Sequence, residues 1–484
     1  MADPIDLATE TDAALRLIAE EASRYLGGLD ASPARLPGAD EAAAWFDGSL
    51  PEHGSDALTA LRELAERGVP AAVRSSGPRM FHLVTGGVTP AALGGDWLAS
   101  VLDQNAFSWV GSPLGSRLEA VTIRWLKELF ELPSSWGGVL TSGATMANFT
   151  ALAGARRWYG ERHDVDVEDS GLAGLPPPPV LSGGYLHTSA VKALAMLGIG
   201  RASVRRHVAD GAGRVDLEGL EASLRELDGG PTIIVATAGE VNAGDFDPIE
   251  AMADLAERYD AWLHVDGAFG LFARLTPRAA PLAAGVERAH SVIADGHKWL
   301  NVPYDAGFAF VRDPMALPKT FTASADYLPS PDDPHPNFGF LGPEMSRRAR
   351  ALAAWASLRA YGRAGYRSMV ERHLDLAQRL AARVDEEPEL ERLAAVPLNI
   401  VCFRFRPSGL DEPSVDEVNR RLGDAIVEDG RVYVGTTTYD ARVALRPAIV
   451  NWRITERDVD ALVDVVVELG EKVAADLASR HVHG

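Results

Sequence analysis

Apolar residues near the start of the chain recur at helical spacing. Leu15, Ile18, Ala19, Ala22 and Leu26 fall on one face, and Gly27-Gly28 then stops the helix. A second amphipathic segment begins at Ser55, uses Leu58, Leu61 and Leu64, and ends at Gly68. Two short helices of this kind cannot enclose a core of their own. Residues 1–90 therefore read as a helical arm packed on something larger. Between 91 and 365, helical stretches such as Leu118–Leu132 and Ile249–Tyr259 alternate with short apolar runs. The runs are Thr232–Thr237 (TIIVAT), Trp262–Val265 (WLHV), Val292–Ala294 (VIA) and Gly307–Val311 (GFAFV). Alternation of this sort predicts a large α/β domain built on a mostly parallel, buried sheet. From 366 to 484 the order becomes helix, strand, helix, strand pair, helix, closing with Glu456–Leu477, which predicts a smaller α+β domain. The Pro176–Pro179 run reads as an exposed loop, and no internal repeat is present.

Composition narrows the function classes. The 484 residues suit more than one domain, and 46% hydrophobic with 24% charged residues is ordinary for a soluble globular protein. A net charge of −21 argues against nucleic acid or an anionic membrane as partner, since both would repel it. The acidic N-terminus lacks the basic flank of a secretory signal, and no apolar run is long enough to span a bilayer, so the expected location is cytoplasmic. A single cysteine, Cys402, excludes an intramolecular disulfide; within NIVCFRF it reads as a buried strand thiol. The twelve histidines show no metal-ligand spacing, and no metal is expected.

Four segments carry candidate chemistry. In SVIADGHKWL a short strand runs out into Asp-Gly, leaving His297 and Lys298 at its C-terminal edge, where open α/β sheets bind ligands. A lysine amine there can form an imine with an aldehyde cofactor; the alternative is a solvated surface lysine. In LHVDGAFG, Asp266 ends another strand, and a carboxylate on a buried run needs a partner. A pyridinium N–H would suit it, as would a helix cap or a structural ion pair. Gly143-Ala144-Thr145 follows the strand-like VLT and opens a helix, a place where backbone N–H groups can receive a phosphate. His187 in LSGGYLHTSAVKAL precedes a helix and reads either as a ring that stacks on a flat heteroaromatic group or as a satisfied structural histidine.

Taken together, in the order phosphate turn, histidine, aspartate, lysine, these segments resemble the group II pyridoxal-phosphate-dependent amino-acid decarboxylases, which include the aromatic-amino-acid, glutamate and histidine decarboxylases. The resemblance extends from about Arg79 to the C-terminus, and is most specific in NAFSWVGSPLGSRLE, LHVDGAFG and ADGHKWLNVPYDAG. It implies an aspartate-aminotransferase-type fold (fold type I), pyridoxal 5′-phosphate as cofactor, and an obligate homodimer with shared active sites. Lys298 would carry the cofactor as a Schiff base, Asp266 would pair the pyridine nitrogen, and His187 would stack on the ring. Gly143, Ala144, Thr145 and His297 would hold the phosphate, Ala268 would line the other ring face, and Asp295 and Ser346 complete the implied cofactor set. His82, Thr85, Asn105 and Phe107 form the implied substrate pocket, with Asn105 and Phe107 reaching into the partner's site. The N-terminal arm would clamp the dimer; neither it nor Asn105–Trp109 is expected to find a home within one subunit.

Departures from the family pattern bear on the reaction. Gly239-Glu240-Val241-Asn242 stands where many relatives carry Gly-Thr-Thr, which removes a threonine from beside the cofactor. His82, Thr85 and Asn105 make a more polar pocket than an aromatic substrate needs, unless they bind backbone or water. Decarboxylases of the family commonly carry a tyrosine on a mobile loop that protonates the carbanion. No tyrosine lies between Tyr327 and Tyr361 here, and Phe338 falls nearest that position. The leading expectation is decarboxylation of an L-amino acid. The alternative is decarboxylation coupled to oxidative deamination, giving aldehyde, ammonia and peroxide; a third is that Phe338 is an apolar lid residue and His187, His335 or water supplies the proton.

Overall fold

In the computed structural model, which describes residues 8–323, 328, 330 and 333–483, two sheets organise the chain. The larger has seven strands, β1 (Gly137–Thr141), β2 (Val180–Ser182), β3 (Val204–Arg206), β4 (Ile233–Thr237), β5 (Trp262–Asp266), β6 (Ser291–Asp295) and β7 (Gly307–Val311), ordered β1-β7-β6-β5-β4-β2-β3. Strands β2 to β6 pair in parallel, and β7 runs antiparallel to both β1 and β6. The period of two sorts the apolar runs between two cores. Ile234, Ala236, Leu263, Val265 and Val292 enter one; Ile233, Val235 and Trp262 enter a second, on the opposite face, with Leu152 and Ala155 of the helix Ala144–Glu161. Strands β5 and β6 each extend to a carboxylate, so Asp266 and Asp295 are their last residues.

The smaller sheet is antiparallel, with β8 (Leu390–Arg392), β9 (Phe403–Phe405), β10 (Thr436–Tyr439) and β11 (Arg442–Leu445) in the order β10-β11-β9-β8. Its core joins Phe403 and Phe405 to Leu422 of the helix Glu412–Asp429 and to Leu462 and Val466 of the helix Glu456–His483. The helix Ala351–Glu386 crosses the expected boundary at 365/366 and is interrupted just before it, at Gly362 (φ 58°, ψ −176°). Cys402 is fully buried here, and burial pushes its thiol up to about 12.

The segment before residue 90 departs from a simple arm. The helices Thr11–Gly28 and Ala57–Glu63 bury no residue, as an arm without its cover would. Phe81, however, is fully buried in the core of the smaller sheet, its N–H donating to Tyr433 O at 2.8 Å and its carbonyl accepting from Ala448 N at 2.9 Å. Gly86 passes so close to the lysine turn that a Cβ there would lie 1.8 Å from the Lys298 carbonyl oxygen. Helical periodicity carries no signal for such an extended, interior stretch.

Candidate active site

At the C-terminal ends of β4, β5 and β6 lies a cavity of about 350 Å³, lined by Thr237, Asp266 and Asp295 from the three strand ends. Lys298 enters from the turn after β6, with its side chain 15% exposed and its Nζ 3.9 Å from Asp295 Oδ2. Asn301 holds that turn: it is fully buried, it has a left-handed φ of 56°, and its Nδ2 donates to Trp299 O at 3.0 Å.

The helix Ala144–Glu161 points its N-terminus into the cavity, so the unpaired N–H groups of its first turn face the same space as Lys298. Approach to the turn depends on glycine: a Cβ on Gly307 would lie 2.5 Å from the Gly143 carbonyl carbon, and one on Gly143 would lie 3.2 Å from His297 Cε1. The His297 ring stacks on Tyr304 (centroids 4.0 Å apart), and its Nε2 lies 3.0 Å from Asp295 Oδ2.

Asp266 is 4% exposed. Its Oδ1 accepts from Ala268 N at 3.2 Å and its Oδ2 from Asn148 Nδ2 at 2.9 Å, which leaves further lone pairs on each oxygen toward the cavity. His187 caps the helix Thr188–Met196. Its Nδ1 meets Ser189 Oγ at 2.7 Å and accepts from Ser189 N at 3.2 Å, so in the neutral ring the proton sits on Nε2. Burial, reinforced by Lys298, pushes the His187 pKa below its usual value despite the opposing pull of Asp266.

The donor set fits pyridoxal 5′-phosphate. Thr237 Oγ1, Asp295 Oδ1 and His297 Nδ1 are buried, belong to cavity-lining residues, and have no hydrogen-bond partner among the described residues. Orphaned polar atoms of this kind call for a polar ligand. An amine, a carboxylate at the end of the neighbouring strand, and a glycine-built helix N-terminus match the aldehyde, ring nitrogen and phosphate of that molecule.

Lys298, Asp266, His187, Ala268, Asp295, His297 and the Gly143–Thr145 turn thus share one cavity. The remaining expected residues do not line it. His82 is half-buried against Tyr433, and burial lowers its pKa to about 4. Thr85 is buried, and Ser346 is exposed. Asn105 spends its Oδ1 on the backbone N–H groups of Phe107 (3.1 Å) and Arg347 (3.0 Å). The expectation that Asn105–Trp109 has no home in its own subunit is corrected: Ala106, Phe107 and Ser108 are buried, Phe107 O accepts from Gly339 N at 2.8 Å, and Trp109 N donates to Asn337 Oδ1 at 3.0 Å. Phe338 packs in its own core with Ile293, Ala309 and Leu317 rather than facing the cavity; Tyr327 lies outside the described residues.

Glu240 closes its own turn, accepting from Asn242 N at 2.8 Å and from Ala243 N, with its pKa raised by burial. Tyr304, Tyr185 and Asn148 were not signalled by any strand-end pattern. Asn148 had the only usable cue, standing one helical turn beyond Ala144 on the same face.

A family model described as the pyridoxal-dependent decarboxylase conserved domain matches residues 40–406. An aromatic-L-amino-acid decarboxylase of Bacillus atrophaeus is 30% identical over 433 residues, 88% of each chain. An L-2,4-diaminobutyrate decarboxylase of Rhizobium meliloti (strain 1021) is 32% identical over 443 residues, covering 89% of this chain and 85% of its own length. The crystal structure of Oryza sativa TDC with PLP and tryptamine superposes with a TM-score of 0.88 at 25% identity, over 98% of this chain and 100% of that one.

Proposed function

The chain belongs to the pyridoxal-dependent decarboxylase family, a pyridoxal-phosphate carboxy-lyase of fold type I, and from that premise we propose that it decarboxylates an L-amino acid held through Lys298. The observation that carries this reading is the convergence of Lys298, Asp266, His187 and the Gly143–Thr145 turn on one cavity. Bound pyridoxal 5′-phosphate supplies an electron sink for the pair left behind by departing carbon dioxide. Lys298 Nζ, the one primary amine among the described residues lining the cavity, is the attachment point. Asp266 would hold a proton on the ring nitrogen, while the first-turn N–H groups and His297 would bind the phosphate. His187, held by its capping bonds with Nε2–H as its free donor, would stack on the ring.

A second reading, decarboxylation with oxidative deamination, is favoured by Phe338, which falls nearest the position where decarboxylases of the family commonly carry a tyrosine. Against it, Tyr304 brings a phenol into the cavity's own wall. The proposed assembly is a homodimer. The helix Pro90–Leu102 leaves Trp97, Leu98, Val101 and Leu102 between 40% and 66% exposed, and Val110 nearby in sequence is 81% exposed. An apolar patch of this sort on a soluble chain favours a protein partner. Among the described residues no helix is long and apolar enough to cross a membrane. A panel of L-amino acids scored for carbon dioxide, amine, aldehyde and oxygen uptake tests the reaction: carbon dioxide with equimolar amine and no oxygen uptake is expected, and no carbon dioxide from any substrate overturns it.

A further inference from the structure

Behind Asp266 runs a chain of buried polar groups that the decarboxylation chemistry does not itself require. On β5 the period of two puts Trp262, His264 and Asp266 on one face, toward the helix that carries Asn148. Trp262 Nε1 lies 3.0 Å from Ser291 Oγ, and Ser291 Oγ lies 2.9 Å from His264 Nδ1. His264 Nε2 lies 2.8 Å from Asn148 Oδ1. Asn148 Nδ2 then serves both Asp266 Oδ2 at 2.9 Å and Ser189 Oγ at 3.3 Å. Trp262, His264, Asn148 and Ser291 are all at most 5% exposed.

The direction of every bond is set from the ends. An indole N–H only donates, so Ser291 accepts from Trp262 and gives its own proton to His264 Nδ1. A carboxylate only accepts, so the Asn148 amide nitrogen must face Asp266 and its oxygen must face His264. His264 is therefore the Nε2–H tautomer. Along the second branch, Ser189 Oγ accepts from Asn148 and donates to His187 Nδ1, and this leaves the His187 proton on Nε2.

We infer that His264 is a positioning residue of this site: through Asn148 it fixes the orientation of the Asp266 carboxylate and, by way of the Ser189 hydroxyl, the placement of the His187 ring. Loss of the Nε2–H donor strands the buried Asn148 Oδ1 and removes the contact that holds the amide from behind, so one loosened amide disturbs its bonds to Asp266 and Ser189 together. Burial supports the neutral state this requires, holding the His264 pKa down at about 4. The inference rests on the cofactor reading above.

The test uses full-length holoenzyme. Borohydride labelling of Lys298 in the wild type comes first, because its absence sinks the cofactor reading and not this one. His264→Leu removes the donor, whereas in His264→Gln the amide can reach where Nε2 stood. With the label retained, His264→Leu should lower kcat roughly tenfold at a KM within about twofold and shift the absorption bands of the bound cofactor, while His264→Gln stays within about threefold of wild type. A folded, labelled His264→Leu with wild-type kcat and absorption overturns the inference. Should that variant not fold, histidine 15N shifts of the wild type decide: His264 neutral with Nε2–H is expected, and a proton on Nδ1 overturns it.

Discussion

Asn301 Oδ1 accepts the backbone N–H of Trp452 at 2.9 Å and so ties the turn after Lys298 to the C-terminal segment. The same oxygen accepts from Gly87 N at 2.9 Å, and Asn301 Nδ2 donates to Val450 O at 2.9 Å. One buried amide thus joins three distant stretches of chain around the lysine.

Asn301→Ala should destabilise the protein by about 4 kcal/mol or more, since it strands two N–H groups and two carbonyls at roughly 1–3 kcal/mol each. It should also weaken cofactor retention, because the Lys298 turn loses its anchor. The urea unfolding midpoint of the purified variant measures the first effect and dialysis of the cofactor the second; an unchanged midpoint contradicts the anchoring role.

Lys298→Ala should remove turnover and the borohydride-fixed pyridoxyl label together. Peptide mapping of the reduced wild type should find that label on Lys298, and a label on any other lysine ends the assignment.

Asp266→Asn keeps the shape of the side chain but cannot hold a proton on the ring nitrogen. Bound cofactor should persist while kcat falls by about 10²–10³, the usual cost of losing one preorganised electrostatic partner. Steady-state kinetics on cofactor-saturated variant would return near wild-type rates if Asp266 were only structural.

Light scattering should find a dimer at working concentrations. Val101→Glu, which puts a charge on the exposed apolar helix face, should yield a smaller species with reduced activity. A fully active wild-type monomer would rule out shared active sites.

Stability should fall on acidification. Burial pushes His264 to about 4 and His373 to about 3, against an ordinary 6.5. As pH drops below 6.5 the unfolded chain takes up protons that these folded histidines refuse, so stability present above 6.5 is lost at about 1.4 kcal/mol per pH unit for each. Buried Asp247, pushed up to about 7, contributes with the opposite sign in the same window, so the rings themselves are the readout: histidine NMR titration should find both neutral down to pH 5, and protonation of either ring in the folded protein above pH 5 contradicts this.

What the amino-acid sequence determined by itself was local. Buried β runs announced β4 to β7 because both faces of those strands are covered, and the residues at their C-terminal ends (Asp266, His297, Lys298) were legible because strand ends are where ligands reach an open sheet. The Gly143–Thr145 turn was readable for the same reason. Tertiary structure decided the rest. His264 and Asn148 lie 116 residues apart, so no spacing rule could pair them. Phe81 reads as part of an arm but fills the core of the smaller sheet, and the packing that buries Phe338 and Phe107 within this subunit has no signature in the sequence. Each of these lies in extended or irregular chain, where side-chain direction follows from long-range packing and leaves no period in the sequence.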